Sequence, residues 1–293
     1  MIEVRHLTRK FRELVAVNDV SFQVRPGEFT GFVGGNGAGK TTTMRMMMGT
    51  LASNGGEVLW QGRPITRGDR AQLGYMPEER GLYPKQPVLR QLAYFGELHG
   101  MQPQQARQQA MLLLERFGLV KRAKDKLEKL SLGNQQRVQI AASVIAQPIG
   151  LILDEPFSGL DPDAVDQMHG LLSEFAKAGV PILFSSHQLD LVERLCDHII
   201  ILSDGQVVAD GTVSELRASR DDVHRIKTDS DVGWLREFPG VHVIDLDGAE
   251  AQVTFTDDEV AQHVLEHAMS AGPVRAFGPV VRPLSHIYRE VTQ

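Results

Sequence analysis

Three short stretches of this 293-residue chain carry residue types whose spacing could do phosphate chemistry. Gly34-Gly35-Asn36-Gly37-Ala38-Gly39-Lys40-Thr41 fits G-x-x-x-x-G-K-[ST]. Its glycines leave the backbone free to curl, so that successive N–H groups point at phosphate oxygens. Lys40 can then reach the β- and γ-phosphates, and the Thr41 hydroxyl can take a place on Mg²⁺. Thr42 follows in the first helical turn, whose N-terminus favours anions. Asp154-Glu155 closes the apolar run Gly150–Leu153, where Asp154 can hold Mg²⁺ and Glu155 can polarise an attacking water. His187 ends Phe184-Ser185-Ser186-His187 and can bond a γ-phosphate and orient the water. Each stretch has a plainer reading: a glycine-rich turn, two acids capping a strand, a structural histidine. Their joint presence favours the chemical one.

These groups need strands that end side by side. The first 215 or so residues alternate strand-like and helix-like segments, which implies an α/β layer architecture. Short apolar runs at Glu28–Val33, Leu73–Met76, Gly150–Leu153, Pro181–Phe184 and Ile199–Leu202 read as buried strands of a mostly parallel sheet. Open α/β sheets place ligands at the carboxyl ends of such strands. Between Val88 and Phe117 the apolar residues, among them Leu92, Phe95, Leu98, Met111, Leu112 and Leu114, recur at helical spacing, so a helical insert is expected over about 86–147. Thr212-Val213-Ser214-Glu215 carries a capping-box pattern. Beyond it, 222–293 reads as a small α+β unit, with strands at Val223–Lys227, Val241–Leu246, Ala251–Phe255 and Val274–Val281 and helices at Asp257–Met269 and Pro283–Val291. Asp247-Gly248 suits a hairpin turn.

Composition narrows the class. A content of 42% hydrophobic and 23% charged residues is that of an ordinary globular protein. No apolar run approaches the length that crosses a bilayer, and Met1-Ile2-Glu3-Val4 enters a strand-like alternation with no leader-like pattern. Cys196 is the single cysteine, so no intrachain disulfide is expected. The net charge is −6, and from Asp221 onward 13 acidic residues stand against 6 basic ones. No basic stripe points to nucleic acid, and none is expected as a partner.

Leu130-Ser131-Leu132-Gly133-Asn134-Gln135-Gln136-Arg137 and Ser158-Gly159-Leu160-Asp161 complete a series. In this order the motifs over residues 1–217 resemble the ATP-binding subunits of ABC transporters: Walker A, Q-loop, signature, Walker B, D-loop and His switch. The resemblance implies a P-loop NTPase sheet with a helical subdomain, and ATP hydrolysis with Mg²⁺. It implies that Ser131 and Gly133 act in trans on the γ-phosphate bound by a second copy, and that Asp161 links the two sites. It implies Phe11 as the aromatic that stacks on adenine, against the alternative of a core phenylalanine. Two departures stand out: Leu132 replaces the usual glycine, and Asn134 the usual glutamine. Glu78, in Gly74-Tyr75-Met76-Pro77-Glu78, occupies the place of the Q-loop glutamine. It can still reach Mg²⁺ or its water, or it is a surface-turn glutamate. Arg80, Leu82 and Tyr83 suit the surface that receives a membrane subunit.

The carboxy-terminal unit is similar to that of exporter-type subunits for sodium efflux and drug export. The implied partners are separate transmembrane permease chains and a second ATP-binding copy. The implied location is the cytoplasm, peripheral on the cytoplasmic face of the membrane. A soluble ABC-type ATPase acting on nucleic acid or ribosomes is the alternative. A P-loop phosphotransferase has no use for the signature and D-loop.

Overall fold

The computed structural model describes residues 1–79, 81–218, 223–280 and 283–292. The chain divides into two compact units, Met1–Val213 with Tyr288–Gln293, and Ser214–Ile287.

The first unit opens with β1 (Ile2–Phe11) and β2 (Leu14–Val24), an antiparallel pair whose inward residues Ile2, Val4, Leu7, Val17, Val20, Phe22 and Val24 are buried. Next come β3 (Phe29–Val33), α1 (Lys40–Met47), β4 (Gly55–Trp60), β5 (Arg63–Pro64), the one-turn α2 (Arg67–Arg70) and β6 (Leu73–Met76). β1, β2, β4 and β5 form an antiparallel sheet in the order β2-β1-β4-β5.

The helical insert contains α3 (Val88–Leu98), α4 (Pro103–Arg116) and α5 (Leu132–Val144). Helix α3 packs through Val88, Leu92 and Gly96, one stripe at i, i+4, i+8. A Cβ at Gly96 would come within 3.0 Å of Ala106 and Met101, so glycine permits the close crossing with α4. The expected apolar stripe is corrected here: Leu98 and Leu112 face solvent, and α4 buries Ala106, Ala110, Leu113 and Leu114 instead. Small residues, which periodicity of large apolar ones undervalues, set the contact face.

The chain returns to the sheet with β7 (Gly150–Leu153), α6 (Pro162–Lys177), β8 (Ile182–Ser186), α7 (Leu189–Leu195), β9 (His198–Ser203) and β10 (Gln206–Gly211). The main sheet has the order β10-β9-β3-β8-β7-β6. Neighbours from β9 to β6 are parallel, and only β10 runs antiparallel. Every residue of β3, β7 and β8 is buried, as expected for parallel strands covered on both faces. Edge-on contacts of Phe184 with Phe29 (5.5 Å) and Phe157 (5.2 Å) tie β3, β8 and the turn after β7 together.

Helix α8 (Val213–Ala218) starts where the capping pattern places it. In the second unit, β11 (His224–Thr228), β12 (Val241–Asp247), β13 (Glu250–Phe255) and β14 (Val274–Pro279) form an antiparallel sheet ordered β12-β13-β11-β14. Helix α9 (Asp258–Ala271) is capped by Asp257, which accepts from the Val260 N–H at 2.9 Å. Gly248, at φ 57°, turns β12 into β13. Ile226, Val232, Leu235, Ala251, Val253 and Val264 form the core. The final helix α10 (Leu284–Thr292) crosses the division at Ile287. The expected strand end at Val281 lies outside the described residues.

Candidate functional site

Parallel register decides where the functional groups meet. Val33 of β3 pairs with Ser186 of β8, Leu153 of β7 with Phe184, and Met76 of β6 with Leu153. All four strands therefore end at one edge. The glycine loop leaves β3 there, Pro77-Glu78 leaves β6, Asp154-Glu155 leaves β7 and His187 leaves β8. The Asp154 N–H donates to the Met76 carbonyl at 2.8 Å and carries the ladder one residue further.

The loop and the strand ends enclose a cavity of about 300 Å³ lined by Ala16, the run Gly35 to Thr42, Glu78, Asp154 and Glu155. Gly39 has φ 103°, and a Cβ there would lie 2.6 Å from the Ala16 carbonyl oxygen. Gly37 also has positive φ, with open space around it. The chain needs glycine at both, for different reasons. Gly34 sits behind the cavity: its carbonyl accepts from Lys40 Nζ at 2.7 Å, and Gly35 O accepts from the same nitrogen at 3.1 Å. Two of the three ammonium donors are thus used by the loop. Lys40 is buried, and desolvation lowers its pKa, while Glu155, Asp154 and Glu78 pull it back up.

Asp154 is 1% exposed. Its Oδ1 accepts from Ser185 Oγ at 2.5 Å, and Ser185 Oγ accepts the Glu155 N–H at 2.8 Å. Its Oδ2 is buried with no hydrogen-bond partner. A buried carboxylate oxygen left without a donor is satisfied by a cation, so Asp154 fits Mg²⁺. Thr41, on the first turn of α1, lines the same cavity. Among the described residues no three His, Cys, Asp or Glu side chains group closely enough to hold a metal by themselves. Mg²⁺ characteristically draws its remaining ligands from phosphates and water.

Glu155 turns the chain at φ 51°, an uncommon left-handed conformation for a non-glycine residue. Its Oε1 lies 3.0 Å from His187 Nδ1. Burial raises the Glu155 pKa, and the hydrogen bond from His187 opposes the rise. A carboxylate with raised basicity at the cavity wall is suited to accept a proton from water.

Glu155, His187, Lys40, Asp154, Thr41, Thr42 and Glu78 thus converge, and Gly35, Asn36, Gly37, Ala38 and Gly39 complete the loop. Other expected residues stand apart from the cavity lining. Phe11 ends β1, is 41% exposed and carries the Arg9 guanidinium 4.5 Å from its ring centre; it is not a core residue. Ser131 caps α5, accepting from the Asn134 N–H at 3.4 Å, with Leu132 exposed beside it. A Cβ on Gly133 would meet Leu160 at 3.4 Å, so the signature adjoins the D-loop of its own chain. Asp161 caps α6 through the Ala164 N–H at 2.8 Å. Leu82 is buried, which corrects its assignment to an exposed docking surface; Tyr83 is exposed and lies parallel to Phe95 at 6.3 Å, and Arg80 lies outside the described residues.

Three working residues escaped the sequence reading. Besides Ser185, Gln136 donates from Nε2 to the carbonyls of Glu155 (3.0 Å) and Pro156 (2.9 Å). Gln139 Nε2 donates to Pro77 O at 2.6 Å. Helix α5 therefore grips both the turn after β7 and the turn after β6. The only sequence signal was polar residues one turn apart on an otherwise buried helix face.

The ABC transporter family matches residues 17–158, and the C-terminal domain of DrrA1-3-like ATP-binding proteins matches residues 211–292. The chain is 37% identical over 94% of its length to the uncharacterized ABC transporter ATP-binding protein YhaQ of Bacillus subtilis (strain 168), covering 93% of that protein. It is 36% identical to the Nod factor export ATP-binding protein I of Paraburkholderia xenovorans (strain LB400), over 74% of this chain and 73% of that one. A solved ATP-binding subunit of an ABC transporter superposes with TM-score 0.69 at 31% identity, over 75% of this chain and 92% of that one. A curled loop around a buried lysine, a desolvated carboxylate pair and a relative aligned nearly end to end lead to one assignment: the chain belongs to the ATP-binding, ATP-hydrolysing subunits of ABC transporters.

Proposed function

We propose that this subunit powers export through separate transmembrane permease chains, by closing on a second copy around two Mg·ATP. Among the described residues no helix is long and apolar enough to cross a membrane, which fits a division of labour between motor and pore. The export sense is supported by the similarity to a Nod factor export protein and to the DrrA1-3-like C-terminal domain. The alternative of an ATPase working on nucleic acid or ribosomes has no support among these relatives. The subunit then works on the cytoplasmic face, where ATP is present.

In this reading the main-chain N–H groups from Gly35 to Thr42 and the N-terminus of α1 bind the phosphates. Lys40 offers its remaining N–H to the β- and γ-phosphate oxygens. Asp154 Oδ2 and Thr41 would hold Mg²⁺, which when bound offsets phosphate charge and orients the γ-phosphate. Glu155 takes the proton of the water that attacks phosphorus as the bond to the β-phosphate oxygen breaks. His187 holds Glu155 in position. Phe11 would stack on adenine.

The observation that carries the paired reading is the outward placement of Ser131 and Gly133. They lie at an exposed helix start, outside the cavity lining of their own chain and against Leu160 of the D-loop that Asp161 closes. A two-fold related copy would set that helix start, with its favourable dipole, over the γ-phosphate. Light scattering of Glu155→Gln with Mg·ATP tests this. The mass is expected to double with ATP and not with ADP, and Ser131→Arg is expected to prevent it. A mass unchanged by ATP in the Glu155→Gln chain would refute the paired arrangement. Purification of the tagged chain from membranes is expected to bring down a multi-span protein; recovery with RNA or ribosomes instead would refute the transport role.

A further inference from the structure

The cavity holds more negative charge than phosphate binding requires. Glu78, Asp154 and Glu155 line it, and Lys40 is the one cationic side chain in the lining. All three carboxylates act on Lys40. Asp154 and Glu155 are buried or nearly so and are engaged by Ser185 and His187. Glu78 differs: it is exposed at the rim and has no hydrogen bond or ion pair among the described residues. The main chain leading into it is held, since Gln139 Nε2 donates to the preceding carbonyl, Pro77 O, at 2.6 Å. A neutral glutamine there would have the same shape without the charge.

We propose that Glu78 is a specificity residue that makes the site reject metal-free triphosphate and admit nucleotide only as its divalent-metal complex. This rests on the cavity being the Mg·ATP site. A bare triphosphate brings about four negative charges into a site whose own carboxylates outnumber its lysine, whereas the metal complex brings about half as many. The carboxylates do not gather into a metal-holding trio among the described residues, so a metal that cancels their charge is held best when phosphate oxygens complete its ligand set. The buried, unpartnered Asp154 Oδ2 supplies the attraction for the metal that arrives with the phosphates. Glu78 supplies the repulsion when it does not, which is selection against the wrong ligand as well as for the right one.

Calorimetric titration of the full chain with the β,γ-imido analogue of ATP tests the idea, once with excess Mg²⁺ and once with excess EDTA. The readout is the ratio of the two dissociation constants. In Glu78→Gln the ratio is expected to fall about tenfold, chiefly through tighter metal-free binding, and the difference is expected to narrow at high ionic strength. The neighbouring Glu79→Gln, which removes the same charge outside the lining, is expected to leave the ratio unchanged. Mg²⁺ alone is expected to give no binding heat. An unchanged ratio in Glu78→Gln, or an equal fall in Glu79→Gln, overturns the role of Glu78 while leaving the nucleotide site intact. Failure of the unmodified chain to bind the Mg²⁺ complex overturns the site, and the role of Glu78 with it.

Discussion

The hydroxyl of Ser185 stands 2.5 Å from Asp154 Oδ1 and accepts the main-chain N–H of Glu155 at 2.8 Å. One side chain on β8 thus fixes both acids at the end of β7. Ser185→Ala leaves a buried carboxylate oxygen and a main-chain N–H without partners. The fold is expected to lose about 1–3 kcal/mol, measured by denaturant titration, and the ATPase rate to fall with it. Ser185→Thr, which keeps the hydroxyl, is expected to recover part of the rate.

Glu155→Gln removes the proton acceptor and keeps the shape. Turnover is expected to drop about 10²–10⁴-fold, while calorimetry still shows ATP binding. A turnover equal to that of the unmodified chain would remove Glu155 from the role of base.

The Glu155 pKa lies above the ordinary glutamate value because burial penalises the charged form. Raising the pH through this value has opposite effects on activity and on stability. Activity requires the carboxylate, so the acid limb of the pH–rate profile is expected above the usual glutamate range. His187→Ala removes the hydrogen bond that opposes the rise, so the limb is expected to move to still higher pH. For stability, the folded state binds this proton more tightly than the unfolded state. The Glu155 contribution is therefore favourable at low pH and is lost as pH rises through the folded value. Melting of Glu155→Gln beside the parent is expected to show a stability gain at neutral pH that disappears on acidification.

Gly39 and Gly37 separate two costs. Gly37→Ala meets only the left-handed backbone strain, about 1 kcal/mol. Gly39→Ala adds a clash with the Ala16 carbonyl at 2.6 Å, and its cost is expected to exceed about 2 kcal/mol. Thermal melts of the two variants give the order.

Gln136 is a positioning residue, holding the carbonyls of Glu155 and Pro156 from α5. Gln136→Leu is expected to lower kcat while the Kd for Mg·ATP stays within about threefold, since no phosphate ligand is lost. Equal losses in both would mean that the whole cavity has collapsed.

Most of the cavity was legible in the chain because local chemistry dictates it. The curled glycine loop and the helix that follows it depend on a few consecutive residues. So do the uninterrupted apolar runs Gly150–Leu153 and Ile199–Leu202, which suit strands buried on both faces. Gly96 was overlooked because glycine carries no hydrophobic signal, yet it sets how closely α3 and α4 cross. Leu98 and Leu112 were misplaced for the converse reason: large apolar residues are tolerated on a surface, so spacing alone overstates their burial.

The sequence by itself determined which groups this protein owns and which strand end carries each: Lys40 after β3, Glu78 after β6, Asp154 and Glu155 after β7, His187 after β8. The strand order β10-β9-β3-β8-β7-β6 was decided only by the tertiary structure. It sets β8 between β3 and β7, so that Ser185 reaches Asp154 and His187 reaches Glu155 from residues about thirty positions away. The same packing turns Gln136 and Gln139 toward the two acidic turns and leaves Ser131 facing outward. Hydrogen-bond geometry is a matter of ångströms, and residue spacing along a chain constrains it only within one element. Between elements it is the sheet register and the burial of α5 that fix it.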